Sequence, residues 1–499
     1  MNDYTINENT VFSNNLSPSL ITQIIVSNSK TNEVFKEMKV AERYYNLHSD
    51  IEKKSRVYYG RDRKPIENTA ASNVKIKSNF LRMLVQQKQD YCLSRTFILK
   101  IKNENNDEVD LTNNDYGKEW NNFLSKVLFP HAYKQLGDAV NYGIAWSYVY
   151  IDENGELKLK NVLPYILYPI WKDREHLELD RVVYNYTTER YESLSPQIIE
   201  YAEYWTDIER MLFNVTDGYK EEPLIVDKDN NPIHSQMLQG EDNLSWDKVP
   251  FIDFKGTDDE KTLLTFIKDY IDCYEKLNSD GVDELDDAID PTLVMKAISS
   301  DVGHLIEARE LMKLTKMVSL DSDGDAHYIQ PNIDISSNQT KMTSIKKDAI
   351  LFGYGVDFDD VRFGGNPNQM VIKSLYQNLD IYVNGLERRF QDYINKLKYF
   401  FDKWYEFTGR GSFEDCQNYT VLVKFDRDMM INQSSVIDDT VKLSGTGVSQ
   451  KTLLEFNPVV QDVDMELDRL EEEKKEKQKK MEEGMFNFPQ SEEEENAGA

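Results

Sequence analysis

Between residues 370 and 407 apolar side chains return every three or four positions without a break: Leu375, Leu379, Tyr382, Leu386, Phe390, Tyr393, Leu397, Phe400 and Trp404. Steps of three and four trace one face of an α-helix. The spacing predicts a long helix over about Met370–Phe407, closed by Gly409 and Gly411. The same spacing predicts a helix over Val74–Cys92, through Ile76, Phe80, Met83, Leu84, Gln87 and Tyr91. Further helices are expected over Thr31–His48, Tyr116–Phe129 and Ala132–Tyr142, the last ending near Gly143. Residues 1–30 are rich in Asn and Ser and are expected to be partly mobile.

After Gly143 the pattern becomes one of alternation. Ala145–Asp152 and Glu156–Val162 flank Asn154-Gly155, a hairpin signal because both residues tolerate the positive φ that a tight turn demands. Strands are also expected over Leu179–Thr187, Ile198–Thr206 and Met211–Val215, so residues 130–255 read as a mixed α+β domain. Its aromatic residues (Tyr148, Tyr150, Tyr165, Tyr168, Trp171, Tyr184, Trp205) suit core and pleat positions better than a ligand cage.

Residues 257–285 carry an apolar stripe of Leu263, Ile267, Tyr270, Tyr274 and Leu277 among many acids. As a helix the segment spans roughly 40 Å, and its stripe needs a partner helix. A small insert follows: a strand over Pro291–Ile298, a helix over Val302–Lys316, and strands Met317–Leu320 and Ala326–Ile329 around a turn at Asp321–Asp325. That turn is not a calcium loop, since its glycine comes too early and Asn332 stands where a bidentate Glu is required. A helix over Ser336–Phe352 bears Lys341, Lys346 and Lys347, and a loop over 353–369 leads to the long helix. Beyond it come a strand (Tyr419–Asp426), a short helix (Ser434–Leu443), a turn at Gly445–Gly447 and a helix capped by Ser449. A charged helix (Asp462–Met481) and an acidic tail expected to be disordered close the chain.

The chain has 499 residues, enough for about two to four domains. No stretch approaches the ~20 apolar residues of a membrane span, and no secretory signal is visible, so the protein is expected to stay in the cytosol where it is made. Cys92, Cys273 and Cys416 form no CxxC pair, and the six histidines are scattered singly, which argues against disulfide and metal frameworks. The formal net charge is −29, unsuited to gripping DNA by its phosphates and compatible with a wall along which phosphates slide. No nucleotide-cradling GxxxxGK[ST], GxSxG elbow or HExxH helix is present. Asp357, Asp359 and Asp360 leave open a Mg²⁺-dependent DNA-processing enzyme as an alternative.

The order of elements resembles the wing–stem–clip–stem–loop–wing–crown course of tailed-phage portal proteins, particularly those of long-tailed phages of Gram-positive bacteria. Asn73–Lys100 looks like the early wing helix, Asn141–Gly155 is similar to the glycine-then-hairpin unit, and Val249–Phe254 followed by Ile267–Glu284 resembles the approach to the first stem helix. Arg362–Asn368 stands where the family has a Gly-Asn loop, with Pro367-Asn368 in place of its usual small residues, and Gly445–Thr452 matches the crown.

The resemblance implies an α+β, predominantly helical portal fold. It has a mobile segment (1–30), an α+β wing (31–256 and 370–429), stem helices at 257–285 and 336–352, and a small α/β clip (286–335). A tunnel loop (353–369), a helical crown (430–482) and a disordered acidic tail (483–499) complete it. It implies a closed ring of about twelve copies at one capsid vertex, with no catalytic site, metal or cofactor and no membrane contact. Implied partners are the terminase packaging motor, a head–tail adaptor, capsid and scaffolding proteins, and double-stranded DNA passing without sequence preference. The implied place is the virion, with assembly in the host cytoplasm. The channel is expected to be lined by Asp357, Phe358, Asp359, Asp360, Arg362, Phe363, Gly364, Gly365 and Asn366 of the loop, and by Lys341, Lys346 and Lys347 of the stem. Those lysines could instead pair with acids such as Asp348, and a non-channel minor head or adaptor protein is the other structural alternative.

Overall fold

A computed structural model describes residues 16–485, apart from 60–61, 70, 110, 112, 192–195, 227–231, 240–241, 290–291, 297–324, 330–334, 360–368, 426, 428–439, 458–459 and 461–462. The fold is α+β, with helix outweighing strand. It divides into two compact units, one formed by Met1–Val356 with Asn378–Asp428, the other by Asp357–Gln377 with Met429–Ala499.

The first unit begins with a correction. The polar N-terminal stretch expected to be mobile contains a helix, α1 (Pro18–Ser29), in which Ser17 accepts a hydrogen bond from the Leu20 N–H and Pro18 occupies the first turn. Ile21, Ile25 and Val26 lie on one face and pack on Val183, Ala202, Tyr204 and Phe213. Helix α2 (Glu33–Tyr45) is capped by Asn32, and a two-stranded hairpin, β1 (Val57–Tyr59) with β2 (Pro65–Glu67), follows. Helix α3 covers Phe80–Cys92, so residues 74–79 of the expected helix are not part of it. After β3 (Ile98–Lys102), α4 (Asp115–Phe123) runs through one π-helical turn (Leu124–Leu128) into α5 (Phe129–Tyr142).

Gly143 ends α5 at φ +88°, and a Cβ there would lie 2.2 Å from the carbonyl oxygen of Glu260. Only glycine meets both demands. It releases the chain into β4 (Ile144–Ile151), the centre of an antiparallel sheet flanked by β5 (Leu157–Val162) across the expected Asn154-Gly155 turn. A second sheet is built from β6 (Leu167–Trp171), β7 (Leu179–Arg190), β8 (Gln197–Trp205), β9 (Arg210–Asn214) and β10 (Lys220–Glu222), in the order β10-β9-β8-β7-β6. Two small hairpins, β11/β12 (Ile225–Val226, Pro232–Ile233) and β13/β14 (Met237–Gln239, Asp242–Leu244), precede β15 (Phe251–Lys255), the other neighbour of β4. Tyr142, Trp146, Val182, Trp205 and Phe251 form the core between the two sheets and α2.

From this body α6 (Leu263–Ile289) departs, the hairpin β16 (Thr292–Lys296) with β17 (Asp325–Ile329) follows, and α7 (Ile335–Phe352) returns. The partner of the Ala326–Ile329 strand is therefore 292–296; the expected helix 302–316 and strand 317–320 lie outside the described residues. Helix α8 (Gln369–Phe407) is the long helix read from the sequence. From Leu379 to Trp404 its apolar stripe is buried, with Phe401 stacked on Trp120 at 4.1 Å, and Tyr393 bonded through Ser147 to His131 (2.9 and 2.7 Å). A short helix, α9 (Phe413–Gln417), leads to β18 (Thr420–Lys424), which pairs antiparallel with β3.

In the second unit Ser449 caps α10 (Gln450–Phe456), as its position predicted, and α11 (Val463–Met485) packs on α10. The acidic tail 486–499 lies outside the described residues.

Candidate functional site

The departing and returning helices are the feature that the body is built to hold. Helices α6 and α7 pack on each other, and Tyr270 stacks on Phe352 with ring centroids 5.4 Å apart. On the body side Leu263, Leu264, Ile267 and Ile271 of α6 are buried.

A second face of α6 is covered by an extended segment, residues 72–78. The N–H of Val74 donates to Asp283 (2.8 Å), that of Ile76 to Ser279 Oγ (3.0 Å) and that of Ser78 to Glu275 (2.7 Å). The match is metric. Two residues of extended chain advance about 6.6 Å and four residues of helix about 6 Å, so side chains at i, i+4 and i+8 meet every second N–H of a strand. Three side chains thus do for this segment what a neighbouring strand does in a sheet. Glu275 and Asp283 are buried, and their charges are met: Ser49 and Ser78 donate to Glu275, and Lys54 lies 2.7 Å from both Asp283 and Asp280. Burial works against the Asp283 carboxylate, yet Lys54, the Val74 N–H and Ser72 hold its pKa below the usual carboxylate range. Nearer the body, Lys268 bridges Asp50 and Asp272, and those acids hold its pKa above the usual lysine range against the opposing effect of burial.

The exit of α7 is clamped by α3. Lys88 is 0 % exposed, and its ammonium donates to the main-chain oxygens of Leu84 (3.2 Å) and Gly353 (2.5 Å). Burial pushes its pKa down to about 7. The neighbouring Gln87 amide donates to the Val356 carbonyl (2.9 Å) and accepts from the Val356 N–H (2.8 Å). A Cβ on Gly355 would lie 2.2 Å from Leu84 Cδ2, and one on Gly353 2.5 Å from Leu84 Cδ1. Residues 353–356 are therefore held by Leu84, Gln87 and Lys88 together.

Of the stem lysines read from the sequence, Lys341 and Lys347 are exposed and Lys346 is half-buried. At about 100° per residue the three do not share one face of α7. Asp357 accepts a hydrogen bond from the Asp359 N–H (3.1 Å), and Phe358 and Asp359 are exposed. Asp360, Arg362, Phe363, Gly364, Gly365 and Asn366 lie outside the described residues. Among the described residues no group of three or more His, Cys, Asp or Glu side chains is placed to hold a metal ion. All three cysteines are unpaired, and no described helix is long and apolar enough to cross a membrane. The sequence reading missed Glu275, Ser279 and Asp283 as ligands of a strand, and Leu84, Gln87 and Lys88 as a clamp. Only Gln87 left a trace, as a polar residue on an otherwise apolar stripe.

The described residues thus form a mixed α+β body with two packed helices, α6 and α7, and a β-hairpin between them in the chain. Residues 27–480 match the family described as phage portal protein, SPP1 Gp6-like. The chain belongs to this family. It is 24 % identical over 438 residues to a portal protein of Bacillus phage SPP1, a match covering 86 % of this chain and 82 % of that one. It is 26 % identical over 472 residues to a portal protein of Clostridium phage phiCD119, covering 91 % of this chain and 96 % of that one.

Proposed function

We propose that copies of this chain close head to tail into a ring at one capsid vertex, around a channel that passes double-stranded DNA during packaging and ejection. The observation that carries the reading is the packed α6–α7 pair anchored on the α+β body, in a chain of the portal family. In this reading α6 and α7 are the stem and residues 286–335 the clip, which docks the packaging motor and later a head–tail adaptor. Residues 353–369 form the tunnel loop and 430–482 the crown. The protein acts as a conduit rather than an enzyme: motion comes from the motor's ATPase, and the chain supplies shape and charge.

The charge pattern suits that task. A net charge of −29 keeps phosphates from settling, and exposed Lys341 and Lys347 make brief, salt-screened contacts with them. Half-buried Lys346 contributes less. Replacing Lys341 and Lys347 with Ala is expected to leave ring assembly intact and to change DNA packaging or retention in heads; unchanged packaging and retention would remove these lysines from the channel wall. Purified protein with Mg²⁺ is expected to leave linear DNA uncut, whereas cleavage would favour a DNA-processing enzyme.

A further inference from the structure

Helices α2, α3 and α5 pack on one another around a cleft of about 290 Å³, close to the lower bound of small-ligand sites. Its walls are polar and aromatic: Tyr45 from α2, Gln86 and Gln89 from α3, and Tyr133, Asp138 and Tyr142 from α5. The helices are tied where they cross. Gln89 donates its amide to the Tyr133 carbonyl (2.9 Å), and a Cβ on Gly137 would lie 2.1 Å from that amide nitrogen, so no side chain fits between α3 and α5 there.

One acid in this cleft has nothing to bind. Asp138 lines it, and among the described residues no hydrogen bond or ion pair reaches its carboxyl. Asn141 is 4 % exposed and also lines the cleft, and no described residue bonds to its side-chain oxygen. Asp138 and Asn141 are three residues apart and share a face of α5. The neighbouring charges are otherwise engaged. Asp90 accepts from Tyr133 (2.8 Å), Glu42 is bonded to Tyr165, and Arg82 lies over the Tyr45 ring at 5.5 Å. Lys134, one turn before Asp138, is exposed and makes no ion pair with it. Burial raises the Asp138 pKa to about 6, with Lys134 opposing the shift and Glu42 adding to it. At neutral pH the folded chain thus keeps a charge that destabilises it. A cleft that holds such an unpaired acid has the character of a binding site.

The unpartnered groups are acceptors, so the ligand is a donor. One carboxylate and one amide oxygen are too few to hold a divalent metal, and no described cluster does so. Tyrosine rings beside a carboxylate suit an organic cation, which the ring faces attract as the acid does. We infer that the cleft between α2, α3 and α5 binds an organic cation, a guanidinium or primary ammonium group, with Asp138 as its counter-ion and Asn141 as a second acceptor. Two sources carry that chemistry: an arginine or lysine side chain of another protein, and a free polyamine. A guanidinium presents a planar set of N–H donors that can meet both acceptors at once, so the arginine group is expected to bind more tightly.

The test titrates the full-length chain by isothermal titration calorimetry with N-acetyl-arginine amide, N-acetyl-lysine amide, spermidine and the neutral N-acetyl-citrulline amide. At pH 7.5 a cation is expected to bind at one site per chain, about tenfold or more tightly than the citrulline compound. Asp138→Asn folds without the unpaired charge and is expected to weaken that binding by about tenfold or more. Lowering the pH to 5 is expected to weaken wild-type binding by about tenfold, as Asp138 takes up its proton, and to leave the variant unchanged. Preference for the amino-acid amides supports a protein side chain as the source, and preference for spermidine supports a polyamine. Binding of no cation above the citrulline compound, or binding that survives Asp138→Asn, would overturn the inference. So would displacement of the cation by MgCl₂ at constant ionic strength, which would make this a metal site. Binding seen only in Lys134→Gln would show that the cleft is filled by its own lysine, and would overturn it too.

Discussion

The ammonium of Lys88 in α3 donates to the main-chain oxygen of Gly353, one residue past the end of α7. A buried lysine usually finds a carboxylate. This one finds the C-terminal end of a helix, where carbonyl oxygens lack intrahelical partners and the helix dipole favours a positive charge. The contact ties the body to the first residue of the proposed tunnel loop, just past the end of the proposed stem.

That site titrates. The folded pKa of Lys88 is about 7, below the 10.5 of an unperturbed lysine. Between those values the unfolded chain binds the extra proton, so stability rises with pH across the window and is lost as pH falls through about 7. Lys88→Met is expected to flatten this slope, by about 1.4 kcal/mol per pH unit at most, in urea unfolding curves between pH 7 and 10.

Gly355→Ala forces a methyl group into Leu84. The substitution is expected to destabilise by about 1–3 kcal/mol, as overpacking does. Leu84→Ala alone costs about 2–5 kcal/mol through the cavity it leaves. The double variant is expected to be more stable than the sum of the two, with a coupling of about 1 kcal/mol or more in a double-mutant cycle. Strict additivity would show that Leu84 does not close over Gly355.

Asp283→Ala removes the acceptor of the Val74 N–H and one of two carboxylates at Lys54. The expected loss is about 3–5 kcal/mol, with faster proteolysis within residues 70–79 before the chain unfolds globally. Asp283→Asn keeps an acceptor for the N–H and is expected to lose less.

Two groups of opposite sign act in mild acid. His131 is bonded to Ser147, and burial first and then Lys134 hold its pKa down to about 4, below the 6.5 of a free imidazole. It loses the protein stability as pH falls from about 6.5 to 4. Burial pushes Asp138 up to about 6 from 3.8, so its contribution is present in acid and lost as pH rises through 6. Asp138→Asn is expected to stabilise at pH 7 by about 1–2 kcal/mol and to do nothing at pH 3.5. His131→Gln is expected to remove part of the acid lability between pH 6 and 4, measured as the difference from wild type in unfolding free energy.

Local pattern was a good guide where the partner lies close in the chain. The stripe of α8, the turn at Asn154-Gly155 and the Ser449 cap were all legible. It failed where the partner is distant. Ile76 and Phe80 keep helical spacing, yet residues 74–78 are extended because side chains some 200 positions away take their N–H groups. Helix α1 was hidden by its Asn- and Ser-rich surroundings, although Ile21, Ile25 and Val26 share a face. Strand β6 contains Pro169, which reads as a breaker; it is tolerated because β6 is an edge strand. Lys88 and Gln87 look like ordinary polar residues of an amphipathic helix, and nothing local says that α7 ends against them.

The most direct test of the account is a structure of the assembled particle at a resolution that separates helices. It is expected to show a closed ring in which α6 and α7 of every copy surround an axial channel wide enough for a double helix. A particle with α6 and α7 at its periphery, or with no such channel, would contradict it.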